Sequence, residues 1–285
     1  MSSCEILFQS HDILGECPVP VPSEDAIYWI DIERCLLQRL QLSTRTHTQW
    51  TLPEKIGSFG FQGEKLVVAL ASGLYHFDLE TEALDPLFRL PAGMPLRFND
   101  GKCDPQGRFW AGSMHRDGAE KIGALYCLGL DGICRMMLDG LGIPNGLAWS
   151  PDSRTMYMAD SFDRTIYAYP FDPARGTLGE ARVFFDSSVW PGLPDGAATD
   201  AEGFYWSAHC NGRALIRYAP DGSAPYRIPL PVQYPTSCAF SPGADELYVT
   251  TAIWDLSEEE CRVRQPMAGA LLRVPVHDAF RLAQK

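Results

Sequence analysis

The chain has 285 residues, 46% hydrophobic, 21% charged and 11% aromatic, a globular profile that excludes fibrous and low-complexity classes. Its net charge of −12 argues against a nucleic-acid partner, because phosphate binding needs a basic surface. No stretch is long and apolar enough for a membrane span, and residues 1–9 lack the basic and apolar regions of a signal peptide. A cytoplasmic protein without a membrane contact is therefore expected.

In chain order, a short anchor repeatedly precedes an apolar segment, a turn and an aromatic strand. Gly15-Glu16 leads to PSEDAIYWIDI and then LLQRLQL. Gly57 leads to FQGEKLVVAL and GLYHFDL, and Asn99-Asp100-Gly101 to DPQGRFWAGSM and GALYCLGL. Asn145-Gly146 leads to SPDSRTMYMAD and TIYAYPF, and Asp195-Gly196 to DAEGFYWSAH and ALIRYAP. Thr236-Ser237 leads to SPGADELYVTT and GALLRVPV. Asp, Gly, Pro and Ser supply the turns; Tyr, Trp, Val and Phe supply the strands.

The anchors recur at steps of about 41 to 50 residues, the period of a radial or stacked repeat. About four strands per repeat is the plan of a propeller blade. Six repeats without a linker predict an all-β fold: a six-bladed β-propeller of four-stranded antiparallel blades, forming one domain over residues 1–285. Long helical periodicity is absent, which speaks against an α/β barrel. The strand near residues 4–9 is expected to pair with the segment at 271–276 and so cover a sheet edge. The tail after Val276 is expected to be peripheral.

The nine cysteines form no CxxC pair, and reduced, mostly buried thiols are expected. Nucleophile-elbow, HExxH, P-loop and dinucleotide motifs are missing. The six histidines show no zinc spacing and are expected on the surface or in packing.

The chemistry therefore rests on the anchors. Positions of equal phase in a ring of repeats face the same way, so Glu16, Asn145 and Asp195 are expected to converge. Two carboxylates and an amide oxygen suit Ca²⁺, Mg²⁺ or Mn²⁺, and hold Zn²⁺ or Fe²⁺ less selectively. Three protein ligands leave open positions for water and substrate. Any one Asn-Gly or Asp-Gly alone would be read as a turn dipeptide. Asn99 shares the phase, and Arg97 lies two residues before it; both are candidates for holding substrate oxygens. A surface arginine paired with Asp100 is the alternative for Arg97. Gly57 and Thr236-Ser237 keep the phase without a strong ligand and are expected to be structural.

With the motifs LGECP, RFNDGKCDPQGRFWAGSM, IPNGLAWSPDSRTMYMADS, PDGAATDAEGFYWSA, PTSCAFSP and RQPMAGALLRV, the chain resembles the senescence marker protein/gluconolactonase/regucalcin family over nearly its whole length. The resemblance implies a six-bladed propeller with one divalent metal ion. It implies Glu16, Asn145 and Asp195 as metal ligands, with Arg97 and Asn99 toward the substrate. The implied activity is hydrolysis of a sugar-acid lactone, such as gluconolactone, to the aldonic acid. Asp195 is the candidate general base as well as a ligand. The partner is then a small-molecule sugar lactone, and a monomer or weak homo-oligomer is expected.

Two positions depart from the family pattern. Cys17 stands where relatives carry glycine, and it is expected to pack inward rather than to add a thiol to the metal. The loop at 115–121 is short and mixed in charge; Arg116 and Lys121 either favour an acidic substrate substituent or are solvated. Calcium binding in a regulatory protein of the regucalcin type, without catalysis, is the alternative function. A scaffold with vestigial axial groups is a third.

Overall fold

The computed structural model describes residues 4–276; the tail after Val276, with His277, lies outside the described residues. Strand β1 (Glu5–Phe8) precedes a first sheet of β2 (Gly15–Val21), β3 (Ala26–Asp31), β4 (Leu36–Gln41) and β5 (His47–Thr51). The second sheet holds β6 (Ile56–Gln62), β7 (Lys65–Leu70), β8 (Gly73–Phe77) and β9 (Leu84–Arg89). The third holds β10 (Leu96–Cys103), β11 (Phe109–His115), β12 (Gly123–Leu128) and β13 (Cys134–Leu141). The fourth contains β14 (Pro144–Trp149), β15 (Thr155–Asp160), β16 (Thr165–Asp172), β17 (Thr177–Leu178) and β18 (Arg182–Asp186). The fifth holds β19 (Leu193–Thr199), β20 (Tyr205–Cys210), β21 (Ala214–Tyr218) and β22 (Tyr226–Pro229). The last is β23 (Pro235–Phe240), β24 (Glu246–Thr251) and β25 (Leu271–Pro275), completed by β1.

All pairings are antiparallel, and the architecture is an all-β, six-bladed β-propeller. The expected N- to C-terminal pairing is present: Ile6 lies opposite Leu272, and Phe8 opposite Leu271. The fourth sheet departs from four strands. Its third strand carries two short partners, with Ala168 opposite Arg182 on β18 and Phe171 opposite Leu178 on β17. Among the described residues, no helix is long and apolar enough to cross a membrane. Among the described residues, no disulfide joins the cysteines.

By internal contacts the chain divides into two units, Met1–Thr51 with Ser188–Lys285, and Leu52–Ser187. In the first unit, Trp206, Leu215, Leu247, Val249 and Leu272 lie in one buried cluster. Leu7, Ile27, Trp29, Leu40 and Leu271 form another. In the second unit, Trp110, Leu125, Met156 and Met158 share a cluster, and Val67, Leu74, Phe98 and Phe109 share another. These residues alternate along their strands with residues facing the opposite side, the period-two pattern of a sheet buried on both faces.

A local rule ties the turns to these cores. In DPQGRFW, Asp104 accepts the Gln106 and Arg108 amides at 2.9 and 3.1 Å, which closes the turn. Its other oxygen accepts the Trp110 indole N–H at 3.0 Å. In DAEGFYW, Asp200 accepts the Phe204 amide at 2.8 Å and the Trp206 indole at 2.9 Å. An unpaired buried indole N–H would cost about 1–3 kcal/mol, so each aspartate stabilises both a turn and a core tryptophan.

In the first sheet, the position six residues before Trp29 is Ser23, and the indole turns instead to Asp12, 2.9 Å away. Asp12 also accepts from Gln38 Nε2 at 2.8 Å and Ser10 Oγ at 2.7 Å, and its amide donates to the Gly269 carbonyl. Burial pushes its pKa up to about 7; the neighbouring Asp31 charge adds to the rise, and the three donors oppose it. An aspartate in an unfolded chain titrates near 4, so between about pH 4 and 7 the folded chain holds the extra proton. Stability from this group is therefore complete below about pH 4 and is lost as the pH rises through about 7. Denaturant titrations should show wild-type stability falling relative to Asp12→Asn across this window. The expected difference is a few kcal/mol at most, at about 1.4 kcal/mol per pKa unit. Parallel pH profiles for the two proteins would contradict the assignment.

Candidate functional site

The first strand of every sheet has a shift of register at its anchor. The shifts lie between Glu16 and Val19, Ile56 and Ser58, Phe98 and Gly101, Asn145 and Ala148, Pro194 and Ala197, and Pro235 and Ser237. Such an irregularity bends the strand and re-aims a side chain. The repeated anchors are thus β-bulges, and Glu16, Asn99, Asn145 and Asp195 stand at or within four of the six. Gly146 supports one of them with φ of 62°, a left-handed conformation that glycine adopts freely.

In the unit Leu52–Ser187, four side chains form one hydrogen-bonded row. Arg97 Nη1 donates to the Phe98 carbonyl at 3.0 Å and to Asn99 Oδ1 at 2.8 Å. Asn99 Nδ2 donates to the Pro144 carbonyl at 3.2 Å and to Asn145 Oδ1 at 2.9 Å. Asn145 Nδ2 donates to Ser161 Oγ at 2.8 Å. Asn99, Asn145 and Ser161 are 8%, 6% and 3% exposed, so water does not readily replace a lost bond.

Arg97 thus donates to Phe98 and Asn99, whereas Asp100 serves the neighbouring sheet. The Asp100 carboxylate accepts the Leu147 amide at 3.1 Å, and the Gly101 and Gly146 amides as well. Burial raises its pKa, while Lys102 and these amides oppose the rise. Consecutive residues of one bulge thus hold the next: Asn99 grips the Asn145 side chain, and Asp100 the backbone just beyond it. Sequence reasoning missed this role of Asp100 and missed Ser161 altogether.

In the other unit, Glu16 Oε2 accepts the Cys17 amide at 3.1 Å. Cys17 is buried, as expected, with φ of 52°, a left-handed conformation that favours glycine. Asp195 and Glu16 bear on the same thiol, that of Cys210. Burial raises the Cys210 pKa first; the Asp195 and Glu16 charges, and a hydrogen bond to Asp195, raise it further. Cys210 was not anticipated, because its proximity to these carboxylates comes from strand pairing, with Leu193 opposite Cys210. Thr236 Oγ1 donates to the Gly15 carbonyl and lies 2.9 Å from Thr250 Oγ1, the structural part expected of that anchor.

The histidines serve packing where they are buried: His209 is fully enclosed, with Tyr218 Oη at 3.2 Å and the Pro191 carbonyl at 3.3 Å. In the loop after β11, His115 Nδ1 accepts the Asp117 and Ala119 amides at 3.1 and 3.4 Å. Lys121 forms an ion pair with Asp163, which leaves Arg116 as the loop's other cation.

The donor chemistry fits a hard divalent cation. Glu16 and Asp195 supply carboxylate oxygens, and Asn145 has its amide nitrogen committed to Ser161 while its Oδ1 keeps a second lone pair beside the Asn99 bond. Among the described residues, no group of three or more His, Cys, Asp or Glu is arranged to hold a metal.

A family model described as the SMP-30/Gluconolactonase/LRE-like region matches residues 14–253. The 6-deoxy-6-sulfogluconolactonase of Pseudomonas putida is 36% identical, covering 93% of this chain and 92% of the relative. The L-arabinolactonase of Azospirillum brasilense is 34% identical, covering 93% and 89%. The crystal structure of regucalcin from Agrobacterium tumefaciens, described as a calcium-binding protein, aligns with a TM-score of 0.90 at 29% identity, covering 96% of this chain and 93% of that one. The chain therefore belongs to the SMP-30/gluconolactonase/LRE-like family.

Proposed function

We propose that the protein is a metal-dependent lactonase that opens a sugar-acid lactone to its aldonic acid. Supporting this are the full-length similarity to relatives named as lactonases and the oxygen donors at register shifts of their strands. Glu16, Asn145 and Asp195 are the proposed ligands of one divalent ion. When bound, such an ion supplies Lewis acidity to the lactone carbonyl and offsets the charge that develops on its oxygen.

The chain's own groups do the rest. Arg97 and Asn99 orient the lactone through its hydroxyl and carbonyl oxygens, which supplies proximity. Asp195 takes a proton from the attacking water, whose oxygen bonds to the carbonyl carbon. The ester bond to the ring oxygen then breaks; that oxygen takes the proton back from Asp195 and leaves as a hydroxyl, and the product is the open hydroxy acid.

The test is a pH-indicator assay on chelator-stripped protein, with Ca²⁺, Mg²⁺, Mn²⁺, Zn²⁺ and Fe²⁺ added back singly. The panel is gluconolactone, galactonolactone, arabinonolactone, xylonolactone and an acidic derivative. At least one metal should restore turnover above the spontaneous rate, and none should occur without metal. Calcium binding without turnover of any lactone would favour the regucalcin-type alternative, and no binding of any ion would favour a vestigial scaffold.

A further inference from the structure

We propose that Ser161 is a positioning residue for Asn145, holding its amide in the orientation that Asn99 dictates, with the oxygen end offered to a bound cation. This rests on the assignment of Asn145 as a ligand. A carboxamide is nearly symmetric in shape, but only its oxygen end binds a cation; the amino end presents two donors. A ligand asparagine therefore needs its orientation set from outside.

The row of bonds in the unit Leu52–Ser187 sets it, because its first members have only one possible polarity. A guanidinium only donates, so the amide end of Asn99 facing Arg97 is Oδ1, at 2.8 Å. A backbone carbonyl only accepts, so the end facing Pro144 is Nδ2, at 3.2 Å. The same Nδ2 lies 2.9 Å from Asn145 and requires an acceptor there, which makes that end Oδ1. The opposite end of Asn145 is then Nδ2, and Ser161 Oγ receives it at 2.8 Å. A flipped Asn145 would set two amino groups against each other and also face any cation with donors.

Ser161 is itself held in place. Its amide donates to the Ile143 carbonyl at 2.9 Å. The preceding Asp160 accepts the Gly142 and Ile143 amides at 2.8 and 2.9 Å, and lies opposite Pro144 in the sheet. The hydroxyl is thus anchored to the segment that leads into Asn145. Its removal leaves a buried N–H without this partner and the amide held from the Asn99 side alone.

The test is Mn²⁺ affinity by calorimetry on chelator-stripped protein, for wild type, Ser161→Ala, Ser161→Thr, Asn145→Ala, Asn145→Asp and the double variant Asn145→Asp with Ser161→Ala. Loss of an outer partner of a metal ligand weakens binding by about 10- to 100-fold, and Ser161→Ala is expected in that range. Ser161→Thr keeps the hydroxyl and should restore most of the affinity. In the Asn145→Asp background both ends of the side chain are oxygen, so adding Ser161→Ala should change affinity by less than about threefold, as expected when the coupled group is already gone.

A role confined to stability would weaken binding alike in both backgrounds and overturn the proposal. Unchanged Mn²⁺ affinity in Asn145→Ala would overturn the ligand assignment and the proposal with it. A weakened Asn145→Ala beside an unchanged Ser161→Ala would overturn the positioning role alone. A second readout is the side-chain amide of Asn145 by NMR, assigned by its disappearance in Asn145→Asp. Ser161→Ala should speed exchange of its protons without metal, and an unaltered exchange rate would contradict the proposal.

Discussion

Glu16→Gln and Asp195→Asn are each expected to lower metal-dependent lactone turnover by about 10³-fold or more, since the Lewis acid is worth several kcal/mol and each 1.4 kcal/mol is tenfold. Both substitutions preserve shape while removing a charge that a cation would need. They also preserve an acceptor for the neighbouring donors: the Cys17 amide at Glu16, and the Cys210 thiol at Asp195. Thermal unfolding of the stripped proteins should therefore stay close to wild type while kcat/KM collapses. Undiminished turnover in both variants would remove the two carboxylates from the mechanism. Loss of turnover accompanied by loss of the folded state would assign them a structural role instead.

Gly196→Ala is expected to have the largest effect on stability. A Cβ built at Gly196 would lie 2.0 Å from Ser237 Oγ, 2.4 Å from Ser237 Cβ and 2.8 Å from Ser237 Cα. Rotating the serine relieves only the first contact, so β19 and β23 would have to separate. Overpacking of this kind costs about 3 kcal/mol at the upper end of its usual range. That corresponds to a fall in Tm of about 6–12 °C for a chain of this size. Because Asp195 precedes this glycine, turnover should fall as well, since a displacement of about 1 Å can cost 100-fold. Adding Ser237→Gly should recover part of the stability, leaving the contact with its backbone. A Tm within about 1 °C of wild type would show that the two strands are not packed as described.

The even spacing of the anchors made the six sheets legible, and the physical basis of that spacing is now specific: each anchor is a register shift in the first strand of a sheet. A bulge needs turn-forming or small residues, which is why Asn-Gly, Asp-Gly and Gly-Glu stand out in the sequence. The longest step, between Asn145 and Asp195, contains the split partner strands β17 and β18 and the short helical turn Ser187–Val189. No periodicity announces a strand of two residues, so that departure from four strands was not readable.

The proposed oxygen donors could be picked out in the sequence because they share the anchor phase. Their supports could not. Asp100 was weighed as a partner for Arg97, but it accepts backbone amides of the adjoining bulge. Ser161 and Cys210 lie at or just beyond the ends of strands next to the anchor strands, and only strand register shows which residue they face. The charge of Lys121 was readable, but not that Asp163, 42 positions later, would engage it.

The central claim is that Glu16, Asn145 and Asp195 hold one divalent ion. It is tested most directly by soaking crystals of the stripped protein with Mn²⁺ and collecting anomalous diffraction. The predicted result is a single strong peak within coordination distance of a Glu16 carboxylate oxygen, an Asp195 carboxylate oxygen and Asn145 Oδ1. A peak bound elsewhere, or none at saturating Mn²⁺, would contradict it.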